Sequence, residues 1–173
     1  MFIKPYLKFL IILLMLFLFS GCPYTSKIPL NSAESAFIDD SLLGSWANQE
    51  EEADSSEILH ILPFNTHEYL ILFLEKGESS IFRAFSKSIN KSSFLSLTEI
   101  HPGVQKEVNY IFACYAVHGN SLKIRLIEEK LFNNQEFENP DQLSEFIKTQ
   151  LNNEELYDEA QFLIRVKDSK LIR

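Results

Sequence analysis

Glycine is scarce in this chain, and the motifs that depend on it are missing. The five glycines are not grouped into a phosphate-binding loop, and no Gly-x-Ser-x-Gly sequence occurs. Neither nucleotide binding nor an α/β-hydrolase nucleophile is therefore indicated. The four histidines, His60, His67, His101 and His118, do not stand at metal-ligand spacing, and His-Glu-x-x-His and Cys-x-x-Cys are absent. We expect a protein that is not an enzyme and that holds no metal and no cofactor.

Basic residues are outnumbered by acidic ones. The chain has 16 Lys and Arg against 24 Asp and Glu, which gives a net charge of −8. Such a surface repels the phosphates of nucleic acids, so we expect no nucleic-acid partner. The acidic run over residues 50–54 lacks the alternating ligands and the glycine bend of a calcium loop. It is expected to be a solvated loop.

The first 22 residues have the pattern of an export signal. Lys4 and Lys8 come first, an unbroken apolar run covers residues 9–19, and Ser20-Gly21-Cys22 follows. The run is too short to cross a bilayer core of about 30 Å as a helix, and it has the length of a secretory signal. The ending resembles the lipobox of bacterial lipoproteins.

This resemblance implies that residues 1–21 form a signal peptide, with a separate helix over about residues 4–20, and that cleavage falls between Gly21 and Cys22. Cys22 would then carry the acyl chains, palmitate among them, and two chains are enough for stable membrane attachment. Pro23 is not the aspartate that resembles an inner-membrane retention signal. We therefore expect a lipid-anchored protein of the cell envelope, with the outer membrane favoured where the organism has one. An uncleaved anchor, and an ordinary cleaved signal with an unmodified Cys22, are the alternatives.

The part from Cys22 onward has the size of one domain. Because Lys4 and Lys8 precede Cys22 and no acidic residue does, its net charge is −10. With Cys22 acylated, Cys114 is the remaining thiol, so an intramolecular disulfide is excluded and Cys114 is expected to be a buried small hydrophobe. Residues 22–41 predict a flexible tether, with Ile28, Leu30 and Phe37 as candidates for contact with the core.

The domain over residues 42–167 is predicted to be mainly β, an antiparallel meander with one helix and a closing strand. Turn residues separate short apolar runs at intervals typical of such a meander. Asn139 as N-cap and Pro140 at the first position predict a helix over residues 139–152, and residues 168–173 are expected to fray. The predicted strands cover residues 43–47, 57–62, 68–74, 80–86, 93–98, 108–117, 122–127 and 161–166.

Two predicted strands are apolar on both faces. Residues 69–74 and 108–117 lack the alternation of apolar and polar side chains that marks a strand with one wet face. Their outer sides must therefore be covered, either by the predicted helix or by another chain.

A meander followed by a helix and one strand resembles the lipocalins and other lipocalin-like small barrels, including small bacterial lipoproteins. Gly44-Ser45-Trp46 matches the Gly-x-Trp that this superfamily carries on its first strand. The resemblance implies that Trp46 packs across the closed end of the barrel. The family's disulfides and its arginine-bearing segments have no assigned counterpart in this sequence.

These observations lead to two functional hypotheses. The first is a non-enzymatic, membrane-anchored envelope lipoprotein that acts as a protein-interaction or structural module. The alternative is a lipocalin-like carrier of a small hydrophobic ligand, for which His60, Phe82, Tyr110 and Phe112 are the candidate pocket residues. An enzyme with a site assembled from distant residues would require His60 to meet carboxylates in a pocket.

Overall fold

A computed structural model of the protein describes residues 23–48, 57–101, 103, 107–132 and 135–166. The predicted signal peptide with its helix, the acylated Cys22, the acidic run over residues 50–54 and the predicted frayed tail lie outside these residues.

Eight strands of the described chain close into an antiparallel barrel. From β2 to β9 each strand pairs with the next along the chain, β9 pairs back onto β2, and the two-residue β1 adds to β7. The predicted mainly-β fold is confirmed, and it fits a lipocalin-like small barrel. The strands are β1 (Thr25–Ser26), β2 (Gly44–Asn48), β3 (Ile58–Pro63), β4 (Tyr69–Glu75), β5 (Glu78–Ile89), β6 (Ser92–Glu99), β7 (Tyr110–His118), β8 (Ser121–Leu126) and β9 (Gln161–Val166).

One α-helix, α1 (Pro140–Gln150), occurs in the described chain. The Asn139 side chain accepts a hydrogen bond of 3.0 Å from the Gln142 amide, which satisfies one of the free N–H groups at the helix start. Pro140 occupies the first turn, where its missing N–H costs nothing. The helix begins as predicted and ends two residues earlier than expected.

The apolar side chains form two separate cores. Alternate residues of the barrel strands point inward and make the interior core, while the opposite face of β6 and β7 packs against α1 and the turns beside it. β7, one of the two strands predicted to be apolar on both faces, is therefore covered by the helical segment. The interior core contains Leu42, Trp46, Ile61, Tyr69, Ile71, Ala84, Leu95, Leu97, Ala113, Tyr115, Leu122 and Leu163. The outer core contains Tyr24, Leu30, Ile89, Phe94, Phe112, Ile127, Phe132, Leu143, Ile147, Leu156 and Tyr157.

The N-terminal segment, residues 23–42, is packed on the barrel. Tyr24 is buried and stacks on Phe132 with ring centroids 3.6 Å apart, and the fully buried Leu30 donates its amide to Ser96 Oγ at 3.1 Å. The prediction of a flexible tether is therefore wrong for the described part of residues 22–41. Leu30 does contact a core, as expected, whereas Phe37 is exposed and does not.

Trp46 and Arg165 pack together at the barrel end where β2 begins and β9 ends. Trp46 is fully buried and donates its indole N–H to the Leu42 carbonyl at 2.9 Å. The Arg165 guanidinium lies 4.2 Å from the Trp46 ring centroid and donates to the carbonyls of Leu43 and Ser41. Gly44 leaves room for this guanidinium, because a Cβ atom there would lie 2.5 Å from Arg165 Nη1.

Candidate functional site

The four residues predicted to line a pocket do not come together. Phe82 lies against the interior core. His60 is on the opposite face, where its Nδ1 lies 2.9 Å from Ser45 Oγ, in register with it on β2. Phe112 is buried in the outer core, and Tyr110 meets the Phe85 ring edge-on at 6.0 Å. Because inward and outward residues alternate along each strand, these four side chains cannot share one cavity.

The barrel interior is filled by its own side chains around the Trp46 end. Tyr69 is fully buried, and its hydroxyl oxygen accepts a 2.6 Å hydrogen bond from the Asp39 amide. The Tyr115 hydroxyl donates to Asp39 Oδ2 at 3.3 Å. Burial raises the pKa of both tyrosines, so both hydroxyls stay neutral. These side chains fill the interior of the barrel at this end.

A cavity of about 310 Å³ opens at the other barrel end, where β6 ends and β7 begins. Phe82 is the one predicted pocket residue that lines it. In the polar rim His101 Nε2 lies 3.3 Å from Glu99 Oε2. The lining residues are Phe82, Leu97, Thr98, Glu99, His101, Glu107, Val108, Asn109 and Ile111.

A strip of apolar side chains lies exposed on the outer barrel wall. We call Leu62 on β3 and Phe162 and Ile164 on β9 the outer strip, and these side chains are 50%, 60% and 39% exposed. The register places Ile164 beside Ala47, and Ala47 beside Ile58, on the same face. Leu62 lies four residues further along β3, on the other side of the hydrogen-bonded Ser45–His60 pair. The outer core under α1 contains no residue of β2, β3 or β4. β4, the other strand predicted to be apolar on both faces, therefore has an outer face that α1 does not cover.

The closest approach to a nucleophile–base pair is Ser144 with Lys87. Lys87 Nζ lies 2.9 Å from Ser144 Oγ, and burial lowers the pKa of this lysine. Both groups, however, donate to the Leu30 carbonyl, at 2.7 and 2.8 Å. Ser144 is only 8% exposed, so a substrate cannot reach its hydroxyl. The pair holds the N-terminal segment between β5 and α1.

Cys114 and Tyr157 lie on the outer side of the barrel and are held in their neutral forms. Cys114 is half-buried, and burial raises the pKa of its thiol, which disfavours the nucleophilic thiolate. Burial also raises the pKa of Tyr157 to about 12. Within the described ranges no three His, Cys, Asp or Glu side chains are grouped closely enough to hold a metal ion.

The described helices include none with the length and apolarity needed to cross a bilayer. Comparison with family models, with curated proteins and with solved structures finds no match to this chain.

Sequence reasoning missed the residues that stand out in the structure. Arg165, Phe162 and Ile164 belong to a strand that was predicted, and their alternation places Arg165 inward and the two apolar residues outward. That alternation is the signal that could have revealed both the partner of Trp46 and the outer strip. Phe37 carried no such signal, because the segment around it lacks a period.

Proposed function

We propose that this protein is a non-enzymatic lipoprotein of the cell envelope, anchored through an acylated Cys22, whose barrel binds a partner protein through the outer strip. The observation that carries the binding role is the exposure of Leu62, Phe162 and Ile164 on one wall of a barrel with a packed interior. Exposed apolar patches on otherwise well-packed domains mark interaction sites.

Charge favours a different protein over a second copy as the occupant. The part of the chain from Cys22 onward has a net charge of −10, and like-charged surfaces repel each other on approach. The partner is therefore a protein with an apolar strip of its own and an uncharged or basic border.

The packed N-terminal segment would hold the domain at the membrane surface. Cys22 immediately precedes Pro23, which forms a β-bridge with Glu128, and Tyr24 is already buried. An acyl anchor on Cys22 would leave about one residue of slack, so the domain would be held against the headgroups.

Site-specific photo-crosslinking in the native membrane tests the binding role. A photo-crosslinking amino acid at Ile164 should give one discrete heavier species, because that side chain lies in the outer strip. The same amino acid at Glu145, which is exposed on α1, is the matched control and should give none. Equal patterns at the two positions, or a product between two copies of this chain, would overturn the proposed partner.

Intact mass of the protein from its own membrane fraction tests the anchor. Residues 22–173 with added acyl groups are expected, and Cys22→Ala should be found in the soluble fraction or with its leader retained. A mass equal to the full 173 residues would refute the lipoprotein assignment.

The cavity at the barrel end favours a second candidate, a carrier of a small hydrophobic ligand. Its apolar lining includes Phe82, Leu97 and Ile111, and its volume of about 310 Å³ is at the lower limit of known ligand pockets. The neutral dye N-phenyl-1-naphthylamine should then bind the protein, and Leu97→Trp should abolish this binding by filling the cavity. Absence of binding to the unsubstituted protein would leave the partner-binding role alone.

A further inference from the structure

A further cavity lies outside the barrel, between the N-terminal segment, the end of β5 and the start of α1. Its volume is about 640 Å³, which is within the range of small-molecule sites. It belongs neither to the outer strip nor to the cavity beside Phe82. Its lining is Asn31, Ser32, Ser35, Phe37, Ile38, Asp39, Ser86, Lys87, Ser88, Ser93, Tyr115, Pro140 and Asp141.

Hydroxyl and amide groups dominate this lining, and one of them is left without a partner. The Asn31 side-chain amide donates to the Ser86 carbonyl and to Ser35 Oγ, both at 3.2 Å. Its Oδ1 atom is buried and finds no donor among the described residues. A buried acceptor without a donor is costly, and a turn of the Asn31 side chain toward the cavity would let a ligand hydroxyl donate to it and remove that cost.

Phe37 lines the same cavity and is 79% exposed, more than any other large apolar side chain of the described chain. Its backbone is fixed, since its carbonyl accepts a 2.6 Å hydrogen bond from Ser86 Oγ and the neighbouring Ala36 carbonyl lies 2.8 Å from His67 Nδ1. The ring is therefore displayed from a held position at the cavity. Such a ring offers a flat apolar face on which a ligand can stack.

The charges of the lining exclude most other ligand classes. Lys87 is positive, whereas Asp39 and Asp141 are negative, so a polyanion and a polycation would each meet repulsion. A purely apolar ligand would leave the Asn31 oxygen and the serine hydroxyls unsatisfied. A neutral ligand that is rich in hydroxyls and has an apolar face meets none of these penalties.

We propose that this cavity is a carbohydrate-binding site for a neutral oligosaccharide. The sugar ring stacks on Phe37 through its C–H face, and its hydroxyls donate to Asn31 Oδ1 and exchange hydrogen bonds with the surrounding serines. The site is independent of the partner-binding role and of the lipid anchor.

Titration of the full-length, detergent-solubilised protein with chitotriose, cellotriose and maltotriose, followed by calorimetry, tests the site. At least one of the three is expected to bind, and Phe37→Ala should weaken that binding at least tenfold because the stacking face is lost. Asn31→Ala should weaken it severalfold. Phe64→Ala, which removes another exposed ring outside the cavity lining, is the matched control and should bind like the unsubstituted protein.

Three results would overturn the proposal. These are no binding of any of the three sugars, binding by Phe37→Ala equal to that of the unsubstituted protein, and an equal loss in Phe64→Ala. Because Phe37 is exposed, its truncation should leave the fold intact, and the fluorescence of the single tryptophan, Trp46, verifies this. A loss of sugar binding with unchanged Trp46 fluorescence therefore reports on the site and not on folding.

Discussion

Replacement of Gly44 by alanine tests the packing of the barrel end around Trp46. Gly44 has φ +129°, a region that residues with a side chain rarely adopt. The new Cβ atom would also lie 2.5 Å from Arg165 Nη1, so the guanidinium would have to move. That movement would break its hydrogen bonds to the carbonyls of Ser41 and Leu43 and its stacking on Trp46.

The expected loss has two separable parts. Backbone strain at such a φ costs about 1–3 kcal/mol. The displaced Arg165 contacts add about 1–2 kcal/mol, since a stacked cation contributes about 0.5–2 kcal/mol and the partly exposed hydrogen bonds are discounted for solvent screening. Gly44→Ala should therefore lower the free energy of unfolding by about 3 kcal/mol in total.

A double-mutant cycle with Arg165→Met separates the two parts. Urea unfolding followed by the fluorescence of Trp46 gives the free energy for each variant. In the Arg165→Met background only the strain remains, so Gly44→Ala should cost about 1–2 kcal/mol less there. If the two substitutions add within about 0.5 kcal/mol, the alanine does not displace Arg165, and the account of this barrel end is refuted.

Two further predictions concern α1 and a buried carboxylate. Leu143→Ala should cost about 2–5 kcal/mol, because this fully buried side chain joins α1 to the outer core, whereas Glu145→Ala on the exposed face should stay within about 0.5 kcal/mol. Burial alone would raise the pKa of Glu68, but hydrogen bonds from Arg83 and Asn65, each 2.6 Å long, outweigh it and lower that pKa. The contribution of the Glu68 carboxylate to the free energy of unfolding is therefore fully present above its pKa in the unfolded chain. It is lost as the pH falls through its pKa in the folded protein. Urea unfolding across the acid range should lose this component in Glu68→Gln, and an unchanged pH dependence would contradict the assignment.

The strands could be predicted because two local signals agree along most of the chain. Turn residues such as Lys76-Gly77 and Gly119-Asn120 separate the apolar runs, and the structure places its hairpins there, between β4 and β5 and between β7 and β8. Positive φ at Lys76, Gly77 and Gly119 is the conformation that such tight turns need. Where the turn signal is weaker, the observed strand bounds differ from the predicted ones by up to three residues, as at the end of β5.

The N-terminal segment could not be predicted because its anchors have no secondary-structure period. Tyr24, Leu30, Ala36 and Leu42 are all buried but stand six residues apart, without the continuous apolar alternation of a strand or the i, i+3, i+4 repeat of a helix between them. Their burial comes from tertiary contacts, such as the hydrogen bond from the Leu30 amide to Ser96 Oγ. Phe37 lies between two of these anchors and stays exposed. The same irregularity that hid the segment also hid the cavity that it forms with β5 and α1.

The same sequence signal, a strand apolar on both faces, had two different outcomes. On β7 the outward Phe112 is fully buried because α1 and the N-terminal segment cover it. On β4 the outward Leu72 lies in register with His60 of β3, on the wall that carries Leu62 and Ile164 and that α1 does not reach. The sequence alone indicates that the outer faces of β4 and β7 both need a covering element. It cannot assign α1 to one of the two faces, because both are apolar. α1 covers β7, and the outward leucines of β4 are half-buried. The physical reason to seek the partner at the outer strip is therefore the exposure of its own three side chains.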